Sequence, residues 1–332
     1  MSSIGRAVTV AQALVIGVAS LAFLSAPPAV HAQQARAYRI GVVYLGGEYS
    51  ATVDGLRDGL KELGLEEGKQ IIFHIRDLRG DRELVESAAR GLESEQVDLI
   101  YSVTTSVTIA VKQATRTVPV VFYAGDDPVR FGLVQSLGKP GGRFTGINSR
   151  ITLLMAKRLE LLKEMIPALR RIAYFYDPRN PLAQKVTEAQ REAARKLNVR
   201  LIERQVSSVE ALRTGLADLR PGEVDALAYV DALVVSQTDM VIDAARTKRL
   251  ATMVPDSASV AKGALASYGV SYYTAGRLAA KQVRRILQGS NPSDLPVEQM
   301  DRLHFAINLG TANALGLTIP QAVLMRADEV IR

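Results

Sequence analysis

The sequence predicts an α/β protein built from two doubly wound parallel-sheet lobes joined by a hinge. Three observations predict it. From Arg39 onward, short and nearly continuous apolar runs such as Ile40-Gly41-Val42-Val43-Tyr44-Leu45 alternate with amphipathic stretches. Strands that stay apolar along their whole length are those covered by helices on both faces. The alternation stops at a glycine-rich break, Gly138-Lys139-Pro140-Gly141-Gly142, and starts again after it. Further helix and strand patterns trail the second round, so the chain is expected to cross between lobes more than once, which makes a hinge rather than a loose tether.

In the first round, strands are expected at 39–45, 70–76, 97–103 and 118–123. Helices at 51–63, 82–95 and 106–114 fall between them. Their apolar residues recur at three-and-four spacing, as in Val53, Leu56, Leu60 and Leu63, and again in Leu84, Val85, Ala88, Ala89 and Leu92, which is the spacing of one helix face. The second round reads as a helix at 155–165, a strand at 171–176, a helix at 183–197, a strand at 199–206, a helix at 209–219, a strand at 225–230, a helix at 235–249, and strands at 251–254 and 264–268. The tail adds a helix at 275–287, a Gly-Ser-Asn-Pro loop at 289–292, a strand at 303–308 and a final helix at 320–331.

Residues 1–32 read as a cleaved secretory leader. Arg6 supplies a positive start, the stretch from Ala7 to Ala26 is uncharged and apolar, and Pro27-Pro28 precedes Val30-His31-Ala32, with Gln33 as the mature start. Small residues at the two positions that a signal peptidase reads favour cleavage over a membrane anchor, and so do the Ala, Ser and Gly that dilute the stretch. No Cys follows the apolar run to carry a lipid, and the expected location is the periplasm. The remaining chain is long enough for two ordinary domains, each with its own core.

Composition narrows the chemistry. The net charge of +7 is spread along helix faces beside acids, as in Arg57-Asp58, Lys61-Glu62 and Arg191-Glu192, a solvated pattern rather than a nucleic-acid surface. With Cys absent and only His31, His74 and His304 present, thiol catalysis and thiolate metal sites are excluded and a nucleophile–base pair is hard to assemble. Neither the G-x-G-x-x-G of a dinucleotide site nor a phosphate-binding G-x-x-x-x-G-K-[ST] occurs. An exported hydrolase using paired acids rests on nothing more than ordinary acid abundance.

In open α/β sheets, ligands bind beyond the carboxyl ends of the strands. The loop after the first strand is Gly46-Gly47-Glu48-Tyr49-Ser50, and after the third comes Thr104-Thr105-Ser106. Hydroxyls and unpaired N–H groups at a helix start suit a carboxylate, or serve as an ordinary cap. After the fourth strand comes Ala124-Gly125-Asp126-Asp127-Pro128, and in the second lobe Asp177-Pro178-Arg179-Asn180-Pro181 and Asp231-Ala232 hold the same station. Such acids either cap helices or receive a ligand ammonium, and their recurrence in both lobes favours a shared site. Tyr44, Tyr49, Tyr123, Tyr176, Tyr229 and Tyr268 sit at strand ends, where an apolar face with a hydroxyl suits an aromatic or amphiphilic solute.

Specific strings carry a family resemblance. Gly125-Asp126-Asp127-Pro128-Val129, Gly132-Leu133-Val134-Gln135-Ser136-Leu137, Lys139-Pro140-Gly141-Gly142 and Thr145-Gly146-Ile147 follow one another in order. Further on come Lys157-Arg158-Leu159-Glu160-Leu161-Leu162-Lys163, Ser267-Tyr268-Gly269, Ile286-Leu287-Gln288-Gly289, Leu295-Pro296-Val297-Glu298-Gln299 and Ile307-Asn308-Leu309-Gly310-Thr311-Ala312. Together they resemble the ABC-transporter substrate-binding protein family related to tryptophan- and tyrosine-binding proteins, with Arg143 standing where that family usually has Asn. The resemblance implies a type I periplasmic-binding-protein fold, with flavodoxin-like lobes and three crossovers near Ile147, Ala266 and Met300. Lobe 1 would then hold 36–147 and 267–299, and lobe 2 would hold 148–266 and 300–332. Ligand contacts are implied at Gly46, Tyr49, Thr104, Thr105, Ser106, Asp126, Asp177, Asn180, Asp231, Ala232 and Tyr268.

The implied protein is a monomeric solute receptor without catalysis, cofactor or metal. It closes on a small molecule and presents it to an ABC permease and its ATPase. An amino acid, aromatic or branched, is the first expectation for the solute; urea-like compounds, small carboxylates and nucleosides stay open. A solute sensor for a membrane receptor is the main rival, whereas a DNA-binding regulator of this fold would need a helical segment where the leader stands.

Overall fold

The computed structural model describes residues 37–332; the leader and its expected cleavage point at Ala32 lie outside the described residues. The first stretch forms β1 (Tyr38–Tyr44), α1 (Ser50–Glu62), β2 (Ile71–Asp77), α2 (Val85–Ser94), β3 (Leu99–Val103), α3 (Thr105–Ala114), β4 (Val120–Ala124) and β5 (Phe144–Asn148). The second stretch forms α4 (Met155–Met165), β6 (Arg171–Tyr176), α5 (Pro181–Lys196), β7 (Arg200–Gln205), α6 (Val209–Ala217), β8 (Ala226–Ala228), α7 (Ala232–Val235), α8 (Thr238–Lys248), β9 (Ala251–Val254), α9 (Ala258–Ala261) and β10 (Ala266–Gly269). The tail supplies α10 (Tyr272–Leu287), β11 (Glu298–Gln299), β12 (His304–Asn308), α11 (Leu309–Leu315), α12 (Gln321–Leu324) and β13 (Glu329–Ile331).

Two sheets result. The first is six-stranded in the order β11-β5-β4-β3-β1-β2, and the second is seven-stranded in the order β13-β12-β10-β9-β8-β6-β7. Pairing is parallel throughout, except that β12 runs antiparallel to β10. Every residue of β3, β4 and β5 is buried, as strands covered on both faces must be. The chain passes between sheets at 149–154, 270–271 and 300–303. Because β10 pairs with β9 and β12, Ser267, Tyr268 and Gly269 belong to the second sheet, and the middle crossing follows Gly269 instead of falling near Ala266. Among the described residues, no helix is long and apolar enough to cross a membrane.

The final helix expected at 320–331 is broken. After α12, Asp328 is bound through both its backbone and its side chain: its N–H donates to Phe305 O at 2.8 Å and its Oδ2 accepts from Phe305 N at 2.8 Å. Val330 and Ile331 then extend the sheet beside Ile307 and Asn308. An open strand edge captures the chain end against its helical spacing. The expected helix at 235–249 is divided into α7 and α8, and β5 is a strand where none was expected. At Gly146 in β5 an added Cβ would lie 2.1 Å from Phe122 O, so glycine admits a backbone approach that the hydrophobic pattern does not advertise.

Arg143 has a structural role. Its guanidinium donates to Val118 O at 2.8 Å and Thr115 O at 2.7 Å, and it stacks over Phe144 with 4.5 Å to the ring centroid. It thereby ties the loop leading into β4. His74 is likewise structural, with Nδ1 2.7 Å from Glu95 Oε2.

In the first lobe, α1 and α10 meet through glycines. A Cβ at Gly55 would lie 1.9 Å from Tyr273 O, and one at Gly276 would lie 1.9 Å from Thr52 O. Backbone-to-backbone contact of this kind cannot relax by rotamer change. Gly55→Val should therefore cost about 1–3 kcal/mol or more in chemical denaturation. Gly91→Ala in α2, with nothing within 4 Å of the added Cβ, should gain roughly 0.5–1 kcal/mol instead. Equal effects would refute the packing account.

Candidate functional site

Parallel strands place their following helix N-termini at one edge of each sheet, and here those edges enclose a cavity. Tyr49, Thr104, Thr105, Ser106, Tyr123, Gly125 and Tyr272 line it from the first lobe; Tyr174, Asn180, Leu182, Ala183, Val186, Val230, Asp231 and Ala232 line it from the second. Its empty space, open outward, is about 460 Å³. The lobes are drawn together over it.

On the first lobe, α3 starts at the cavity. Thr104 Oγ1 caps the helix by accepting from Val107 N at 3.3 Å, and the first intrahelical bond runs from Thr108 N to Thr104 O at 3.0 Å. The Thr105 and Ser106 N–H groups lie ahead of that bond, at the positive end of the helix dipole. Thr105 Oγ1 accepts from Gly125 N at 3.0 Å, which holds the neighbouring loop against the helix start. Thr104 has φ 88° and ψ 153°, a region costly for a β-branched residue, and strain of this kind concentrates at ligand sites.

On the second lobe, Asn180 caps α5 through Leu182 N at 3.1 Å, with Pro181 at the first helical position. Asp231 caps α7 through Leu233 N at 2.9 Å, and its Oδ2 accepts from Asn180 Nδ2 at 2.9 Å. Burial is the main influence on Asp231 and pushes its pKa up to about 6. No cation pairs with this carboxylate among the described residues.

The aromatic walls are Tyr49 against Tyr272, with ring centroids 5.1 Å apart, and Tyr123 edge-on to Tyr272 at 5.9 Å. Burial pushes the phenol of Tyr123 up to about 12 and those of Tyr49 and Tyr272 well above their usual value. All three are protonated donors at neutral pH.

Of the residues expected at the site, Tyr49, Thr104, Thr105, Ser106, Asn180, Asp231 and Ala232 meet at the cavity, whereas Gly46, Asp126, Asp177 and Tyr268 do not line it. Gly46 supplies the left-handed turn ahead of Tyr49, with φ 83°. Asp126 is engaged by the Thr152 hydroxyl and by Asp127 N, and so anchors the first crossing. Asp177 accepts from the Arg179 guanidinium at 3.1 Å and from Arg82 across the lobes at 3.3 Å. Burial opposes its charge, but these arginine bonds win and hold its pKa low. The Tyr268 ring packs edge-on to Phe305 at 6.2 Å. Of the tyrosines expected at the cleft, Tyr44, Tyr176, Tyr229 and Tyr268 lie off the cavity, while Tyr174 and Tyr272 line it unexpectedly.

Other pairs join the lobes around the rim. Arg179 binds Glu83 at 2.7 Å, Lys262 binds Glu48 at 2.7 Å, and Gln237 Nε2 donates to Arg79 O at 3.4 Å.

The protonation of Asp231 links stability to pH. Its proton is held more tightly in the folded chain than in the unfolded one, so wild-type stability falls as pH rises from about 4 to about 6. Asp231→Asn removes that titration. Relative to wild type, the variant should gain about 3 kcal/mol between pH 4 and pH 7, read from denaturation curves at each pH. A difference that stays flat would show that the carboxyl is not perturbed.

A family described as ABC transporter substrate binding protein matches residues 42–331. A tyrosine-binding protein of Clostridioides difficile is 29% identical over 265 residues, covering 79% of this chain and 76% of that protein. The solved ABC domain in complex with L-Trp from Streptococcus pneumonia superposes with a TM-score of 0.77 at 25% identity, covering 89% of this chain and 100% of that one. The ligand-free, open structure of a substrate binding protein with adhesive properties from Clostridium difficile reaches 0.58 at 28% identity, covering 89% and 99%.

Proposed function

The chain belongs to the ABC transporter substrate binding protein family, and we propose that it is a non-catalytic receptor that closes its two lobes on a free amino acid. The observation that carries this reading is the division of charge across the cavity. Positive helix-dipole ends and hydroxyls stand on the first lobe at Thr104, Thr105 and Ser106, and a buried carboxylate stands on the second at Asp231. A zwitterion satisfies both. Its carboxylate takes the N–H groups and hydroxyls at the start of α3, and its ammonium takes Asp231 beside Asn180. Tyr49, Tyr123, Tyr174 and Tyr272 surround the side chain, which favours a flat aromatic one. The names of relatives that bind tyrosine or L-Trp support the same class.

The geometry supports closure. A solute that touches both lobes does so only when they are together, so it shifts the equilibrium to the closed form by its differential affinity. In our reading the closed form then presents the solute to a membrane permease with a cytoplasmic ATPase, in the periplasm and as a monomer, after cleavage of the leader at Ala32. Mass spectrometry of the small molecule released on denaturation, together with the N-terminal residue of the purified protein, tests cargo and export together. An amino acid and Gln33 are the expected results.

The Asp231 contact gives the binding its own pH signature. Burial between the lobes raises the Asp231 pKa, and a proton on that carboxyl competes with the ammonium, so calorimetric affinity should weaken as pH falls below about 6. Affinity that is unchanged between pH 7.5 and pH 5 would place the ammonium elsewhere.

A further inference from the structure

Beside the cavity the lobes meet backbone to backbone. A single helical turn, Gly47–Tyr49, follows β1 in the first lobe, and Gly47 has φ 58°. A Cβ added to it would lie 2.1 Å from Ser236 O, in the bend between α7 and α8 of the second lobe. A main-chain oxygen cannot move aside by rotamer change, so a side chain at position 47 and the present spacing of the lobes exclude each other. Gly80 extends the same seam, where an added Cβ would lie 2.7 Å from Val209 and 3.2 Å from the Ser236 hydroxyl.

The residue after Gly47 is charged and buried. Glu48 is 6% exposed, and its Oε1 accepts from Lys262 Nζ of the second lobe at 2.7 Å. Among the described residues, its carboxylate has no other hydrogen bond or ion pair. Lys262 is also held within its own lobe, by Asp239 Oδ1 at 3.0 Å, and is thereby aimed across the seam. The turn ends at the solute space, since Tyr49 lines the cavity against Tyr272. On the other lobe, the short helix that Asp231 caps at the cavity ends at Ser236. Each side of the seam therefore has a cavity residue at one end and a lobe-to-lobe contact at the other.

We propose that the Gly47–Tyr49 turn is a closure latch: Gly47 against Ser236 sets how far the lobes close, and Lys262 on Glu48 sets how slowly they release what they hold. The proposal rests on the reading above that the lobes close on an amino acid. In the open form Glu48 is solvated and Lys262 keeps Asp239; in the closed form the buried carboxylate is paired. A closed form that lacks Lys262 strands that charge, and losing one partner of such a pair acts mainly on dissociation.

The test follows release of radiolabelled L-tryptophan and L-tyrosine from the full mature protein after a chase of unlabelled amino acid, beside small-angle scattering of the stripped and loaded forms. Lys262→Met should quicken release about tenfold or more with little change in the association rate. Adding Glu48→Gln removes the stranded charge and should recover part of that loss. Gly47→Val should keep the radius of gyration of its stripped form at amino-acid concentrations that saturate wild type. Gly64→Ala, at φ 83° with nothing within 4 Å of the added Cβ, carries the backbone penalty alone and should compact as wild type does. A Gly47→Val protein that compacts on loading, or a Lys262→Met protein that releases at the wild-type rate, overturns the latch and leaves the amino-acid reading standing. Wild type that binds neither amino acid removes both. The release rates decide even if Gly47→Val fails to fold.

Discussion

Every parallel strand delivers its carboxyl end to the same edge of its sheet, and in this chain two such edges face each other. That constraint arranges everything else. It brings the starts of α3, α5, α7 and α10 to one cavity, through Thr105, Leu182, Ala232 and Tyr272. Four helix N-termini bring partial positive charge and incompletely bonded N–H groups. The capping residues Thr104, Asn180 and Asp231 both complete the helices and face the solute space. In the proposed reading cap and ligand contact are one device, and the strained backbone of Thr104 is part of its cost.

The balance of closure differs between rim and interior. At the rim, Arg179–Glu83 joins the lobes through exposed side chains and contributes little, while Lys262 reaches the buried Glu48. The Arg82–Asp177 pair is stronger in kind, since Asp177 is buried and already held by Arg179. In the interior, Asp231 is buried without a partner of opposite charge. In the proposed reading, closing over an empty cavity leaves it desolvated and unpaired, whereas closing over an ammonium satisfies it. The rim aligns the lobes, and the interior makes closure depend on what is inside.

Much of this was legible in the sequence, for physical reasons that vary with the element. Strands β1, β3, β4 and β6 announce themselves because both faces are buried over most of their length, so they are nearly continuous apolar runs. Strand β5 hides behind Gly146, and β13 behind spacing that reads equally well as a helix. Thr104, Asn180 and Asp231 could be found because strand-to-helix junctions are recognisable locally. Asp126 and Asp177 carry the same local signature, yet the Thr152 hydroxyl in the first case and Arg82 with Arg179 in the second engage their carboxylates. Thr152 and Arg82 are distant in sequence, so no local reading sets Asp126 apart from Asp231, whereas Arg179, two residues beyond Asp177, is a local sign that this acid is already paired. Tyr272 is hidden for a similar reason: it enters the cavity only because the middle crossing follows Gly269.

The central claim is that solute in the inter-lobe cavity closes the lobes. Small-angle X-ray scattering of the solute-stripped mature protein, with and without a saturating aromatic amino acid, tests it directly. The account predicts a smaller radius of gyration and a shorter maximum dimension in the loaded protein. Superimposable profiles under conditions where calorimetry shows saturation would contradict it.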